Sequence, residues 1–454
     1  MKNSSSLTSL ISSSEPMLAV FSDHNCIACM LDVEAALARA EASQQVIPAQ
    51  ALAAIEAACE VELIDCASLA HAAASAGNLA IPLVKQLTAN VAKADPEAAK
   101  YVHWGATSQD VMDTALVLQL RQALDLVDAD LLQLNAGLAA LSGKYRHTPM
   151  VARTWMQHAL PTTFGLKVAG WLDGMLRHQQ RLSAVRRQAL VLQCGGAAGT
   201  LASLADKAAG VSAALAKELG LGLPDMPWHT QRDRVAEVAT VMGLLTGSLG
   251  KMARDISLLS QTDVAEVAEP EQAGRGGSSA MPHKRNPVGC AVALAAAVRV
   301  PGLVSTMLSG MVQENERALG GWQAEWDTLP DILRLAAGAL AQMKQVVAGL
   351  TVDAARMRHN LDATQGQVMA EAVSLALGSS MGRMAAHQLV ERACHEASGK
   401  QQHLREVLLQ DAGVAAHLSA AELDSLFDPA QYTGQAAHFV DQVLARWDAQ
   451  GKMN

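Results

Sequence analysis

The chain has 454 residues, of which 50% are hydrophobic, 17% charged and only 3% aromatic, and its formal net charge is −9. Such a composition excludes a largely disordered chain, and many Ala and Leu beside few aromatics favour close-packed helices over a β-sandwich. The acidic balance excludes polyanion binding by bulk charge, so an anionic substrate must meet positive charge gathered locally.

The first fifteen residues are Ser-rich (Ser4, Ser5, Ser6, Ser9, Ser12, Ser13, Ser14) without a sustained apolar core. They read as a loose arm and not as a secretory signal. The seven Cys are an odd number scattered along the chain, which fits reduced thiols and a cytoplasmic location. Cys26-Ile27-Ala28-Cys29 spells C-x-x-C, but no second pair has zinc spacing, so buried or half-buried thiols are the better reading. Short helices and loops are expected over residues 16–106. A long helix should start at Thr107-Ser108, where Thr107-x-x-Asp110 reads as a capping box, and run to about Leu141. The next should run from about Pro161, a natural first-turn residue, to about Leu192. Gln193 to Thr200 breaks the helical pattern and reads as a small hairpin or tight loop. Strand signals are otherwise nearly absent.

Trp228 to Glu269 contains no proline. There Val235, Val238, Met242, Leu245, Leu249, Met252, Ile256 and Leu259 recur at steps of three and four, one apolar stripe on a helix ~55 Å long. A further helix should begin near Pro287, kink at Pro301 and end near Gly310, and another should run from Pro330 to about Gly349. Short helices resume from residue 352. No run reaches the ~18 apolar residues of a membrane span; the nearest, Cys290 to Val298, is cut short by Arg299 and Pro301. The expected fold is all-α, with an elongated central bundle of long helices over 107–351, an N-terminal helical segment 1–106 and a C-terminal one 352–454.

Residues 274–287 read Gly-Arg-Gly-Gly-Ser-Ser-Ala-Met-Pro-His-Lys-Arg-Asn-Pro. Glycines give this loop freedom to open and close. The helix at its exit should present free N–H groups to an anion, with Lys284 adding a compact positive charge. The order Ser-Ser-x-Met-Pro-x-Lys-x-Asn-Pro resembles the signature of the fumarase/aspartase superfamily, which includes argininosuccinate and adenylosuccinate lyases. His103-Trp104-Gly105-Ala106-Thr107-Ser108-Gln109-Asp110 is similar to that superfamily's first signature block, and Arg153 to Gly165 to its second. Gln313 to Trp326, with Glu316-Arg317-Ala318 and Trp322-Gln323-Ala324-Glu325-Trp326, looks like the corresponding stretch of the superfamily's bacterial 3-carboxy-cis,cis-muconate cycloisomerases.

The resemblance implies a homotetramer whose active sites draw on three subunits. It also implies cofactor-independent proton removal beside a carboxylate, an enolate-like intermediate and departure of a group from the β-carbon. Carried over by position, Ser278 is the general base, and Lys284 and His158 join it as catalytic residues. His103, Thr107, Ser108, Gln157, Ser279, Asn286 and Arg317 contact a small polycarboxylate. Thr107 and Ser108 have the plainer reading of helix caps. Arg275, His283, Lys284, Arg285 and Arg317 together should supply local positive potential. No metal, cofactor, nucleic acid or membrane is implied.

One departure matters. Many lyases of the superfamily read Thr-His in the second block, the His helping to protonate the leaving group; here stands Thr154-Trp155. His158 either compensates, binds a carboxylate or orients a neighbour. Amines and hydroxide need an acid to depart, whereas a carboxylate, with a conjugate-acid pKa near ~4, does not. Losing the acid therefore fits a lactone-forming cycloisomerase. The alternatives are a lyase of the adenylosuccinate or argininosuccinate type and a catalytically silent, crystallin-like structural protein. Trp322 and Trp326 read equally as walls of a site and as interface or core residues.

Overall fold

The computed structural model describes residues 7–272 and 274–451. It is dominated by helices, the longest being Ser108–Lys144, Phe164–Ala189, Asp233–Leu259, Val288–Ser309 and Gly321–Ala348. The chain forms two compact units of interleaved segments. The first takes residues up to Leu131 with His178–Gly250 and Val292–Ala341; the second takes Leu132–Arg177, Lys251–Ala291 and the chain from Gln342 onwards.

In the first unit the Asp23–Ser43 helix is started by Ser22, whose hydroxyl accepts the Asn25 N–H at 3.2 Å. It packs on the Ala208–Leu219 helix, burying Ile27, Met30, Leu31 and Leu37 with Val211 and Leu215. Cys29 lies buried on it, and burial pushes the Cys26 thiol up to about 11 and the Cys29 thiol up to about 12, so both are inert at neutral pH. In the second unit, C-terminal helices close a core around Val373, Leu377, Ala386, Leu404 and Leu408.

The apolar stripe is real: Val235, Val238, Met242, Leu245, Leu249, Met252, Ile256 and Leu259 are all buried. Its helix is shorter than proline spacing suggests, 27 residues from Asp233 to Leu259, or about 40 Å. The chain turns at once beyond it: Ala265 takes a positive φ of 50° and Glu266 N–H returns to Leu259 O at 2.9 Å. The Ser108 helix runs to Lys144, close to expectation. The last long helix begins at Gly321, not Pro330, because Gly320 adopts φ 95° and its N–H is taken by the Gln323 side chain at 2.9 Å. Pro330 is interior to it. Pro301 likewise lies inside the Val288–Ser309 helix, which by length and composition alone is apolar enough to cross a membrane.

Two further expectations need correction. Ser4, Ser5 and Ser6 lie outside the described residues; beyond them the arm is not wholly loose, since Ser9–Ser12 is a short helix and Ser13 is buried, while Leu7, Leu10 and Ile11 stand exposed. The second signature block does not open a helix at Pro161. Pro149–Thr154 (β1) and Gln157–Thr163 (β2) form an antiparallel hairpin with a bulge between Val151 and Arg153, and the helix starts at Phe164. Pro161 pairs opposite Val151, and a two-stranded ribbon accommodates a proline on its outer edge. Gln193 to Thr200 is a loop and not a hairpin.

The hairpin meets its helix at Gly165, whose N–H bonds Tyr145 O at 2.9 Å. A Cβ there would lie 2.6 Å from Arg146 Cα and 2.7 Å from Ser142 O, both backbone atoms that cannot step aside. Gly165→Ala should therefore lower stability by about 2–3 kcal/mol. Scanning calorimetry will read this as a lower melting temperature; an unchanged one would contradict the close approach.

Candidate active site

In the first unit the site residues gather at the start of the Ser108 helix. The Asp110 carboxylate returns to accept the Thr107 N–H at 3.0 Å, the half of the capping box that ties the turn. It also accepts N–H bonds from Gly195 at 2.9 Å and Gly196 at 2.8 Å, and lies 2.7 Å from His229 Nε2. The loop 193–200 is thus pinned against this helix end. Arg317 reaches the same turn, donating to Thr107 Oγ1 at 2.5 Å and to Ser108 Oγ at 3.4 Å. Among the described residues Arg317 forms no ion pair, so its charge faces two hydroxyls and is not cancelled by an acid. Thr107, Ser108 and Arg317 make a cationic, hydroxyl-lined clamp suited to a carboxylate.

His103 stands beside the clamp in sequence, with φ 60°. Its Nδ1 lies 2.6 Å from an oxygen of the buried Glu34. Burial opposes its proton, but the charge and hydrogen bond of Glu34, with Asp110 adding, outweigh this and raise its pKa above the ordinary imidazole value. Trp322 is buried and donates Nε1 to Asp113 at 3.0 Å, with Trp326 edge-on at 5.0 Å. The two indoles line a cavity of about 620 Å³ together with Arg334 and Glu325, so they wall a space and do not fill a solid core.

The second unit holds the glycine loop and the hairpin. Ser278 Oγ accepts the Met281 N–H at 3.1 Å and the Ala280 N–H at 3.4 Å. Two donors aimed at this oxygen favour its deprotonated form. Ser279 and Lys284 are exposed on the same loop. Asn286 N–H bonds Gly276 O at 2.8 Å, and its side-chain amide donates to the Gly276 and Gly277 carbonyls at 3.1 and 3.4 Å. In this structure Asn286 closes the neck of the loop.

The helix at the loop's exit is not open to an outside anion. Glu269 accepts the Gly289 and Cys290 N–H groups at 3.0 and 2.8 Å. Arg275 lies 3.8 Å from Glu269 and donates to Gln345 at 2.7 Å and Gln342 at 2.6 Å. Arg285 is paired with Glu271. Two of the loop's expected free cations are thus committed to acids of their own chain.

At the hairpin, Gln157 pairs with Thr154 and His158 with Arg153. Trp155 and Met156 form the tip with φ 52° and 65°, and are 97% and 73% exposed. Both central residues of a primed two-residue turn need φ > 0, and Asn and Gly usually supply it. Arg153 is held by both oxygens of the fully buried Glu266, at 2.7 and 3.0 Å. Partial burial and the nearby Arg153 charge lower the His158 pKa, so this imidazole is neutral at pH 7. Among the described residues the hairpin pair and the loop residues share no hydrogen bond or ion pair, and no three His, Cys, Asp or Glu side chains gather as metal ligands would.

With this geometry in view, comparison with known proteins is decisive for the family. A family model described as Lyase matches residues 11–302, and one described as Adenylosuccinate lyase C-terminus matches 366–443. The chain belongs to this lyase family, the fumarase/aspartase superfamily. It is 58% identical over 436 residues to the 3-carboxy-cis,cis-muconate cycloisomerase of Pseudomonas aeruginosa, covering 96% of this chain and 95% of that one. It is 44% identical over 448 residues to nitrosuccinate lyase of Streptomyces davaonensis, covering 97% and 94%. The crystal structure of 3-carboxy-cis,cis-muconate lactonizing enzyme from Pseudomonas putida superposes with a TM-score of 0.94 at 54% identity, covering 98% of this chain and 99% of that one. The all-α lyase fold read from the sequence is therefore the fold of this chain.

Motif reading of this lyase gave no role to Glu34, Asp113, His229, Arg232, Glu266, Glu269 and Glu325, the buried and half-buried residues that hold the candidate site residues of each unit. Glu34, Asp113 and Glu325 have one sequence signal, a charge within a helical stretch; His229, Arg232, Glu266 and Glu269 lie outside the helices and have none. The raised pKa of His103 has a pH consequence. The stabilisation from the imidazolium–Glu34 pair is complete below the unfolded histidine value near ~6.5 and is lost as pH rises through the higher folded value. Melting temperatures of wild type and Glu34→Gln, measured across pH, should differ most on the acid side of that window; parallel curves would refute the pairing.

Proposed function

We propose that the chain is a 3-carboxy-cis,cis-muconate cycloisomerase, an isomerase of the intramolecular-lyase type acting in protocatechuate (β-ketoadipate) catabolism. One substrate carboxylate oxygen adds to a double bond of the tricarboxylate diene and closes a γ-lactone. The displaced π electrons move onto the neighbouring carboxylate as an enolate. Ser278 delivers the proton to the carbon beside that carboxylate, and in the reverse direction removes it. The ionised substrate takes up one proton as it becomes the lactone, which carries one carboxylate fewer; Ser278 regains that proton from water, and no other co-reactant is needed. The two N–H donors at the Ser278 turn support both roles, because they stabilise the oxyanion that is left when Ser278 gives up its proton and that takes a proton in the reverse direction. Lys284 and the clamp of Thr107, Ser108 and Arg317, with His103, supply charge and hydrogen bonds for the carboxylates. Gln157, Ser279 and Asn286 complete the contacts, Asn286 once it exchanges its neck carbonyls for substrate. His158, neutral at pH 7, suits a hydrogen-bonding contact better than proton donation.

The observation that carries this reading is the hairpin tip. Where an acid would stand, the chain presents the exposed indole of Trp155, which cannot protonate a leaving group. In lactone chemistry the group that leaves or attacks is a carboxylate and needs no acid. That favours the cycloisomerase over an adenylosuccinate- or argininosuccinate-type lyase, and a complete Ser278, Lys284 and Asn286 set favours an enzyme over a silent structural protein.

The same reading places the enzyme in the cytoplasm as a homotetramer with shared sites, its three segments divided near 107 and 352. Apolar side chains left exposed at Val298 (80%), Val312 (86%), Leu319 (88%) and Trp155 (97%) support burial against other copies. Light scattering should return the mass of four chains.

Adding the purified protein to 3-carboxymuconate should bleach the diene's ultraviolet absorbance; no change would refute the activity. Ser278→Ala should reduce kcat by several orders of magnitude with the oligomer intact. Trp155→His should bring no gain in kcat, and a large gain would contradict the leaving-group argument.

A further inference from the structure

Arg232 is among the largest fully buried side chains, 2% exposed as a residue. Its guanidinium meets Asp113 at 2.8 and 3.1 Å and Glu325 at 2.5 and 3.0 Å, with the Trp228 ring 5.0 Å away. Asp113 lies near the start of the Ser108 helix and Glu325 near the start of the Gly321 helix. These are the two helices whose leading residues carry Thr107 and Ser108 on one side and Arg317 on the other. Gln109 adds a strut, donating to Asp113 at 3.1 Å and to His229 O at 2.9 Å. His229 joins Asp110, which holds the Thr107 N–H. Thr230 donates its hydroxyl to Asn315 O at 3.0 Å. Asn315 sits at φ 53°, two residues before Arg317, so this bond secures a left-handed turn that an ordinary side chain disfavours.

We propose that the segment Trp228–Arg232 is a positioning strap for the carboxylate clamp, with Arg232 and Thr230 as positioning residues that set the distance of Arg317 from Thr107 and Ser108. The proposal rests on the reading of that clamp as the substrate-carboxylate site. Stability alone does not call for such a cluster, because well-packed apolar residues commonly do as well as a buried ion triad. A planar guanidinium fork instead fixes two partners in direction as well as distance. The strap bonds the supports of both halves of the clamp separately, Asp110 and Asp113 on one side, Asn315 and Glu325 on the other. No residue of the strap donates to Arg317, Thr107 or Ser108 directly, so its effect on substrate passes through geometry.

The test is steady-state kinetics on 3-carboxymuconate, with melting temperatures, for Arg317→Ala, Thr230→Val, Thr230→Ser and Arg232→Lys. Arg317→Ala should raise KM by more than about tenfold, the size of a lost charge-assisted contact. Thr230→Val, isosteric but lacking the hydroxyl, should raise KM about three- to fivefold with kcat within about twofold and an unchanged melting temperature. Thr230→Ser should restore the wild-type KM. Arg232→Lys keeps the charge but loses the fork, and should raise KM about tenfold or more; where it fails to fold, the Thr230 pair decides. A wild-type KM in Thr230→Val beside a raised KM in Arg317→Ala overturns the strap and leaves the clamp standing. An unchanged KM in Arg317→Ala overturns the clamp reading itself.

Discussion

A guanidinium can be taken out of water only where carboxylates replace its hydration, and Arg232 meets that condition with Asp113 and Glu325. Burial pushes the Glu325 carboxyl up in pKa while Arg232 pulls it back. Arg232 itself is held firmly protonated, its two acids overcoming the burial that opposes its charge. Removing any member would strand the others in a low-dielectric interior, so the three helical starts and loops that supply them have little freedom to drift. The clamp inherits its geometry from this constraint, and the neighbouring Asp110 extends it to the loop at Gly195 and Gly196.

Cations in this protein divide by what faces them. Arg153, Arg275 and Arg285 are answered by Glu266, Glu269 and Glu271. Arg317 is answered by hydroxyls. In a chain with a net charge of −9, Arg317 gives the start of the Ser108 helix a local positive charge, and composition alone could not say which arginine would stand there.

Much of the fold was legible because long helices leave a periodic trace. The buried stripe from Val235 to Leu259 and the Thr107-Asp110 cap were readable directly, and the loop at 274–287 stood out by its glycines. What escaped notice lacked a local signal. The hairpin turns on Trp155 and Met156, not Asn-Gly, so nothing in its tip announced a turn, and Pro161 suggested a helix start while lying in a strand. Gly321 begins a helix because of its neighbour's dihedral angle and a side-chain bond from Gln323, neither visible in a pattern of prolines. The supporting shell depends on pairings across great sequence distance: Arg232 bonds residues 119 and 93 positions away. Motifs name the candidates for substrate contact, while the residues that hold those candidates in place are scattered and can be found only once the chain is folded.

Glu269 occupies the second and third amides of the Val288–Ser309 helix, and this bears on how such a scaffold acquires new chemistry. A bare helix terminus welcomes almost any anion, whatever its shape, and would make a permissive receptor. With that terminus sealed from within, discrimination between one acid and another falls to replaceable side chains. Retargeting the protein toward a different molecule would therefore be a matter of a few point changes around an unaltered backbone.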